Sequence, residues 1–435
     1  MKKLLALVLA AVLLCGVIPV ASAEGRETIE FWFHASSETT NANYEELFQI
    51  LNSIQDEYEF VYTGFASANF PDAMNMAIAT DTMPDVISTG FSNVTNWTAQ
   101  DALIDMSDYF EKFEEKDAID KTLLESLRNI GGGALYGVPY NYNQDMIWYN
   151  TKLFAENGIE NAPATISEFM EMCEKYADPS NGKYFYSLRG VKPGDNLIGF
   201  IFTYADNGGE YFDENGKCVL SQPKFVEGLE LYASLYKNGW VSGDSVNNNY
   251  NEMVAEFGAG TSMMIMHNSS SRANHEKNLG IGNFSAARPL ANDESGNFYT
   301  SSIQPTLFAI CKTKGEDGDY SGAAKLVEYL TSAEYVVWQS LHFGRIPVNS
   351  KAYDQAYDEL VANDPFLVLY NELINDPHYK QAQNPYYLPG WFNFVNTELT
   401  NGFQAILTGE KTAQQVTEEW CAYLEGELAS WQAAQ

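Results

Sequence analysis

The stretch YGVPYNYNQDMIWYN, residues 136–150, carries more hydrogen-bonding side chains than a buried strand tolerates. Asn141, Asn143 and Asp145 alternate along it, so an extended chain presents all three on one face. Amides and a carboxylate in that arrangement supply paired donors and acceptors for a hydroxyl-rich ligand, or hydrogen bonds for a hinge. Polar groups close other predicted strands in the same way. His34, Ser36 and Glu38 follow the first strand, Phe91, Ser92 and Asn93 follow PDVISTG, and Asn268 and Ser269 follow SMMIMHN. Arg345, in FGRIPVNSKAY, could offer a donor fork to a ligand, although clamping a hinge suits it better.

Catalytic chemistry finds less support. The chain has 58 acidic residues, so a carboxylate pair at glycosidase spacing is expected by chance and carries no weight. There is no G-x-S-x-G and no H-E-x-x-H. The five histidines show no ligand spacing, and no C-x-x-C occurs, so neither a metal nor another cofactor is expected. The Asp-x-Asn-Gly of residues 213–216 lacks the remaining ligands of a calcium loop. Cys173, Cys218, Cys311 and Cys421 are far apart and mostly sit in apolar patterns, which predicts free, buried thiols.

Bulk properties narrow the partners. The 435 residues suffice for two or three domains, and 45% are apolar. The net charge of −33 disfavours nucleic acid, which needs basic surface. It also favours a neutral ligand, an argument that a local basic pocket would defeat. Residues 1–23 have a basic start at Lys2 and Lys3, an apolar run and a small-residue exit, ASA, before Glu24. That pattern predicts a signal peptide cleaved after Ala23. A lipid anchor on Cys15 is the alternative, with Leu14 before it and GVIPVA after it arguing against.

These residues need elements to position them. TIEFWFHAS predicts a strand and residues 43–58 a helix, with Tyr44, Leu47, Phe48, Leu51 and Ile54 on one face. EFVYTGF, PDAMNMAIAT and PDVISTG continue the alternation, which implies an α/β domain with a largely parallel sheet. Thr165-x-x-Glu168 and Thr412-x-x-Gln415 are capping boxes opening later helices. A hairpin is expected around Asn215-Gly216.

The order of these motifs resembles extracellular solute-binding protein family 1, the carbohydrate-binding branch of the substrate-binding proteins of ABC importers. LYGVPYNYNQDMIWYNTKLFAENGI, PATISEFMEMCEKY, GGEYFDENGK, EFGAGTSMMIMHNSS, GRIPVNSKAY and ILTGEKTAQQVTEEW carry the likeness in order through nearly all the chain after residue 23. YNTKLF with PATISEF is its most specific part. The resemblance implies a two-lobed, type II periplasmic-binding-protein-like fold. Lobe 1 would be 24–141 with 303–345, and lobe 2 would be 142–302 with 346–435. It implies no enzyme but a binding protein, monomeric, that closes on a neutral carbohydrate and presents it to permease subunits.

The same likeness aligns Asn143 with a sugar-bonding position. It places Trp391 and Tyr387 where relatives present a stacking aromatic. Asn268-Ser269-Ser270 and Phe91-Ser92-Asn93 replace groups found in maltose-type relatives, which argues against maltodextrin. The same fold with a peptide or polyol ligand, and a secreted glycoside hydrolase, are the competing readings.

Overall fold

The structure is a computed structural model that describes residues 25–34, 38–66, 69–142, 145–301, 305–343, 345–353 and 364–433. The chain divides into two compact units, Met1–Ser88 with Ile310–Val327 and Thr89–Ala309 with Glu328–Gln435.

The first unit begins with β1, Glu27–Phe33, whose Ile29, Phe31 and Phe33 alternate onto a buried face. Helix α1, Glu38–Ser53, leads to β2, Tyr58–Gly64, and α2, Phe70–Thr80, leads to β3, Val86–Gly90. Both β2 and β3 pair with β1 in parallel. Parallel neighbours need a crossover, and the two helices provide it. Tyr44, Leu47, Phe48 and Leu51 of α1 are buried, and the Phe48 ring stacks on Phe31 at 5.5 Å. Each such side chain contributes about 1.5–3 kcal/mol by burial. Ile54 does not belong to this stripe. The helix ends at Ser53, and Ile54 is 61% exposed. Asp81 ends α2 in the left-handed region, at φ 56°.

In the second unit, α3 spans Phe91–Ala99. Strand β4, Val138–Tyr142, pairs antiparallel with β10, Thr306–Ile310, and with β11, Ile346–Pro347. A four-stranded sheet has the order β6-β7-β5-β8, from Tyr184–Tyr186, Ser262–Asn268, Asp145–Asn150 and Phe284–Ala287. Here β5 is antiparallel to both neighbours, and only β6 and β7 run parallel. The expected parallel arrangement therefore holds for β1–β3 and not here. Strands β9, Phe298–Ser301, and β12, Tyr379–Ala382, form a separate parallel pair.

The large core of this unit gathers Phe169, Tyr186, Phe200, Tyr232, Phe403 and Trp420. Local signals start its helices. Thr165 accepts from the Glu168 N–H at 3.3 Å, but the Glu168 carboxylate returns to the Ala164 N–H, one residue earlier than a capping box requires. Thr412 and Gln415 exchange both bonds, at 3.2 and 3.0 Å.

The cysteines correct one expectation. Cys218 and Cys421 form a disulfide with a Cα–Cα distance of 5.1 Å, joining positions 203 residues apart. Cys173 and Cys311 are free and buried, as expected. The hairpin near Asn215 reduces to the Phe212–Cys218 bridge around Gly216, at φ 75°. Its Asp213 carboxylate accepts the N–H groups of Asn215 and Lys217, so the turn's own backbone occupies an oxygen a cation would need. Among the described residues, no helix is long and apolar enough to cross a membrane.

Candidate functional site

The site forms where two irregular segments of the second unit meet. The first is SLRGVKPG, which follows β6. Its backbone is stitched to a loop: the Gly190 N–H bonds Ser245 O at 2.9 Å and the Val191 N–H bonds Asn248 O at 3.0 Å. A Cβ on Gly190 would meet the carbonyl oxygens of Ser245 and Val246 at 2.5 Å, so only glycine permits this approach. Lys192 then turns through φ 49°, its N–H held by the Thr400 hydroxyl at 3.0 Å. The chain continues into α4, Gly194–Ala205.

The second segment is NPYYLPGWFNF. Asn384 accepts from the Tyr211 hydroxyl at 2.8 Å and donates to the Tyr386 hydroxyl at 3.2 Å. Trp391 is buried, its ring edge-on to Tyr211 at 5.2 Å and stacked on Phe394 at 5.3 Å. A π-helical turn, Phe394–Glu398, follows and sets Val395 and Asn396 toward the same space. Such turns are rare and recur at functional sites.

Between these segments lies a cavity of about 250 Å³. Arg189, Lys192, Ser301, Asn384, Tyr386, Trp391, Phe392 and Asn396 are among its lining residues. Phe392 is 43% exposed, so its ring faces solvent with no core to fill. Arg189 is only 7% exposed, and its Nε has no hydrogen-bond partner. No carboxylate appears among the described residues of the lining. Burial and then the Arg189 charge hold the His267 imidazole down to about 3. A second cavity of about 30 Å³, beside Asp145, His267 and Tyr299, has room for a water but not for a solute.

Trp391 lines the large cavity, and Tyr387 does not; its ring packs on Trp431 at 4.7 Å. Helix α3, which starts at Phe91, approaches the Trp391–Asn393 turn. Asn93 donates to Thr89 Oγ1 at 3.1 Å, and the side chains of Phe91 and Ser92 lie outside what is described.

Asp145 and Asn268 face each other across β5 and β7, and Asp145 accepts from the Ser301 hydroxyl at 3.3 Å. Ser269 is fully buried beside Tyr370, whose hydroxyl also feels the Arg345 charge. Asn141 is buried, donating to Gln339 at 3.1 Å and accepting from Thr306. His34, in the other unit, meets Ser88 at 3.0 Å. Asn143 and Ser36 lie outside the described residues, as does the Glu38 side chain at the start of α1. Arg189, Lys192, Tyr386, Phe392 and Asn396 line the cavity without being among the residues expected from the sequence. Arg189 and Lys192 are lone basic residues beside a glycine and a proline, Tyr386 and Phe392 lie in an aromatic run broken by Pro385, Pro389 and Gly390, and Asn396 carries no such signal.

A model of the bacterial extracellular solute-binding protein family matches residues 46–367, and the chain belongs to that family. It is 25% identical over 340 residues to the maltotriose-binding protein of Pyrococcus abyssi, covering 75% of this chain and 68% of that protein. It is 23% identical over 354 residues to the sn-glycerol-3-phosphate-binding periplasmic protein UgpB of Brucella melitensis, with 78% of each covered. Its fold is shared with an ABC transporter solute-binding protein of Thermotoga lettingae bound with alpha-D-tagatose. That likeness has a TM-score of 0.79 and 18% identity, over 92% of this chain and all of the other. The expected binding-protein fold is therefore the fold of this chain.

Proposed function

We propose that this chain is the substrate-binding component of a bacterial ABC importer and captures a carbohydrate in the cavity between Arg189 and Trp391. One observation carries the reading: a single cavity of about 250 Å³ sets aromatic rings beside hydrogen-bonding groups. Sugars need both, because their C–H faces pack on rings while their hydroxyls need donors and acceptors. Phe392 and Trp391 supply the first, and Arg189, Asn396 and Ser301 the second. The sugar ligands of the P. abyssi and T. lettingae relatives support the same class.

The chain acts as a receptor and not as an enzyme. After export and cleavage behind Ala23, or lipidation at Cys15, lobe 1 (24–141 with 303–345) and lobe 2 (142–302 with 346–435) close on the solute. The permease docks the closed form. Asn143, Ser36 and Glu38 are further contacts in this reading. Asn141 belongs to the frame of its own sheet, since its amide is already engaged.

Calorimetry and thermal shift against a broad panel of mono- and oligosaccharides test the reading. A saturable heat and a rise in melting temperature are expected with at least one sugar, with no release of product. Silence across the whole panel removes the carbohydrate assignment.

A further inference from the structure

Arg189 poses a physical problem that neutral sugar binding leaves unsolved. A guanidinium is charged at every physiological pH. Taking it out of water costs several kcal/mol unless an anion compensates. Arg189 is 7% exposed, yet among the described residues it forms no ion pair and its Nε is unpartnered. Glu256 accepts instead from Ser187 and from Asn248. Lys192, a second cation, borders the same space. No carboxylate is among the described residues of the lining, in a chain with 58 acidic against 25 basic residues. Among the described residues neither cation forms an ion pair, and the Asp145 carboxylate stands behind Ser301, whose hydroxyl it accepts, so the buried Arg189 charge still needs a partner. A ligand that brings the anion provides it.

We infer that the solute is an acidic carbohydrate, a sugar bearing a carboxylate or phosphate, and that this anion seats on Arg189 with Lys192 at its side. The inference rests on the carbohydrate reading above. A planar fork of N–H donors suits either oxyanion. Trp391 and Phe392, across the cavity, then face the sugar ring. The overall charge of −33 favours neutral ligands only at long range. Within this cavity the local field has the opposite sign, and it selects there.

The test uses the purified full chain and matched probes: glucose, glucuronate and glucose 6-phosphate; galactose and galacturonate; a neutral disaccharide and digalacturonate. Tartrate and inorganic phosphate serve as anions without a sugar. The acidic member of a pair should bind about tenfold or more tighter than its neutral counterpart, with the preference shrinking at high salt. The uronate and phosphate arms identify which anion is taken. Arg189→Gln should abolish the preference without lowering the melting temperature of the free protein, because it removes an uncompensated charge. Lys192→Gln, at an exposed position, should weaken acidic ligands by about two- to fivefold more than it weakens their neutral counterparts.

Neutral sugars binding as tightly as their acidic partners would overturn the inference and leave the carbohydrate reading standing. Binding of tartrate or phosphate alone would keep the anion seat and remove the sugar. Silence in every arm would remove both.

Discussion

Thr306 on β10 stands directly opposite Asn141 on β4 and donates its hydroxyl to the Asn141 side-chain oxygen. The same amide donates to Gln339, so one buried side chain ties β4 to β10 and to the helix Ala333–Phe343. Asn141→Ala removes both of these bonds from buried groups. We expect a loss of about 1–3 kcal/mol in urea unfolding, with sugar affinity little changed. A variant as stable as the parent would show that these bonds do not hold the strand pair.

Phe392 and Trp391 separate stacking from packing. Phe392→Ala should weaken sugar binding by about tenfold or less, near 1 kcal/mol, with an unchanged melting temperature, because the ring is 43% exposed. Trp391→Ala removes a buried ring that packs on Tyr211, Tyr386 and Phe394. It should cost about 3–5 kcal/mol of stability as well. Equal stability losses in the two variants would contradict this division.

His267 and His275 make stability depend on pH. Burial holds each near 3, reinforced by the Arg189 charge at His267 and by His267 at His275. In the unfolded chain histidine titrates near 6.5. Below that pH the unfolded state binds more protons, so the contribution is complete above about 6.5 and is lost as pH falls toward about 3. From pH 7.5 to 5 the loss is on the order of 2 kcal/mol per histidine. The melting temperature should fall over that window, and His275→Phe should flatten about half of the slope. A level profile in the parent protein would refute the assignment.

The Cys218–Cys421 link spans 203 residues, and closing so long a loop restricts the unfolded chain. Reduction, or Cys421→Ser, should lower stability by about 2–5 kcal/mol in guanidinium unfolding. Identical midpoints with and without reductant would mean that the bond adds nothing.

What was legible in the sequence was local. Thr412 and Gln415 announce a helix start within four residues, and Phe31 and Phe33 announce a buried face by alternation. Trp391 was legible through likeness to relatives. Pairings across the chain were not. Nothing near Cys218 points to Cys421, and apolar neighbours made both read as thiols. Arg189 reads as a surface residue until Gly190 docks on the Ser245–Val246 loop and draws it inward. Asn141 and Asp145 look identical in sequence. Asn141 faces Thr306 and Gln339, whereas Asp145 meets Ser301, which lines the cavity. Where each side chain is engaged is decided by partners more than 150 residues away.

The disulfide has a consequence for a cut chain. Any single break by a protease between Cys218 and Cys421 leaves both fragments covalently attached. On a non-reducing gel a nicked molecule runs as one species, and only reductant reveals two. Such a cut thus releases no piece that carries the wall from Asn384 to Asn396 away from Arg189.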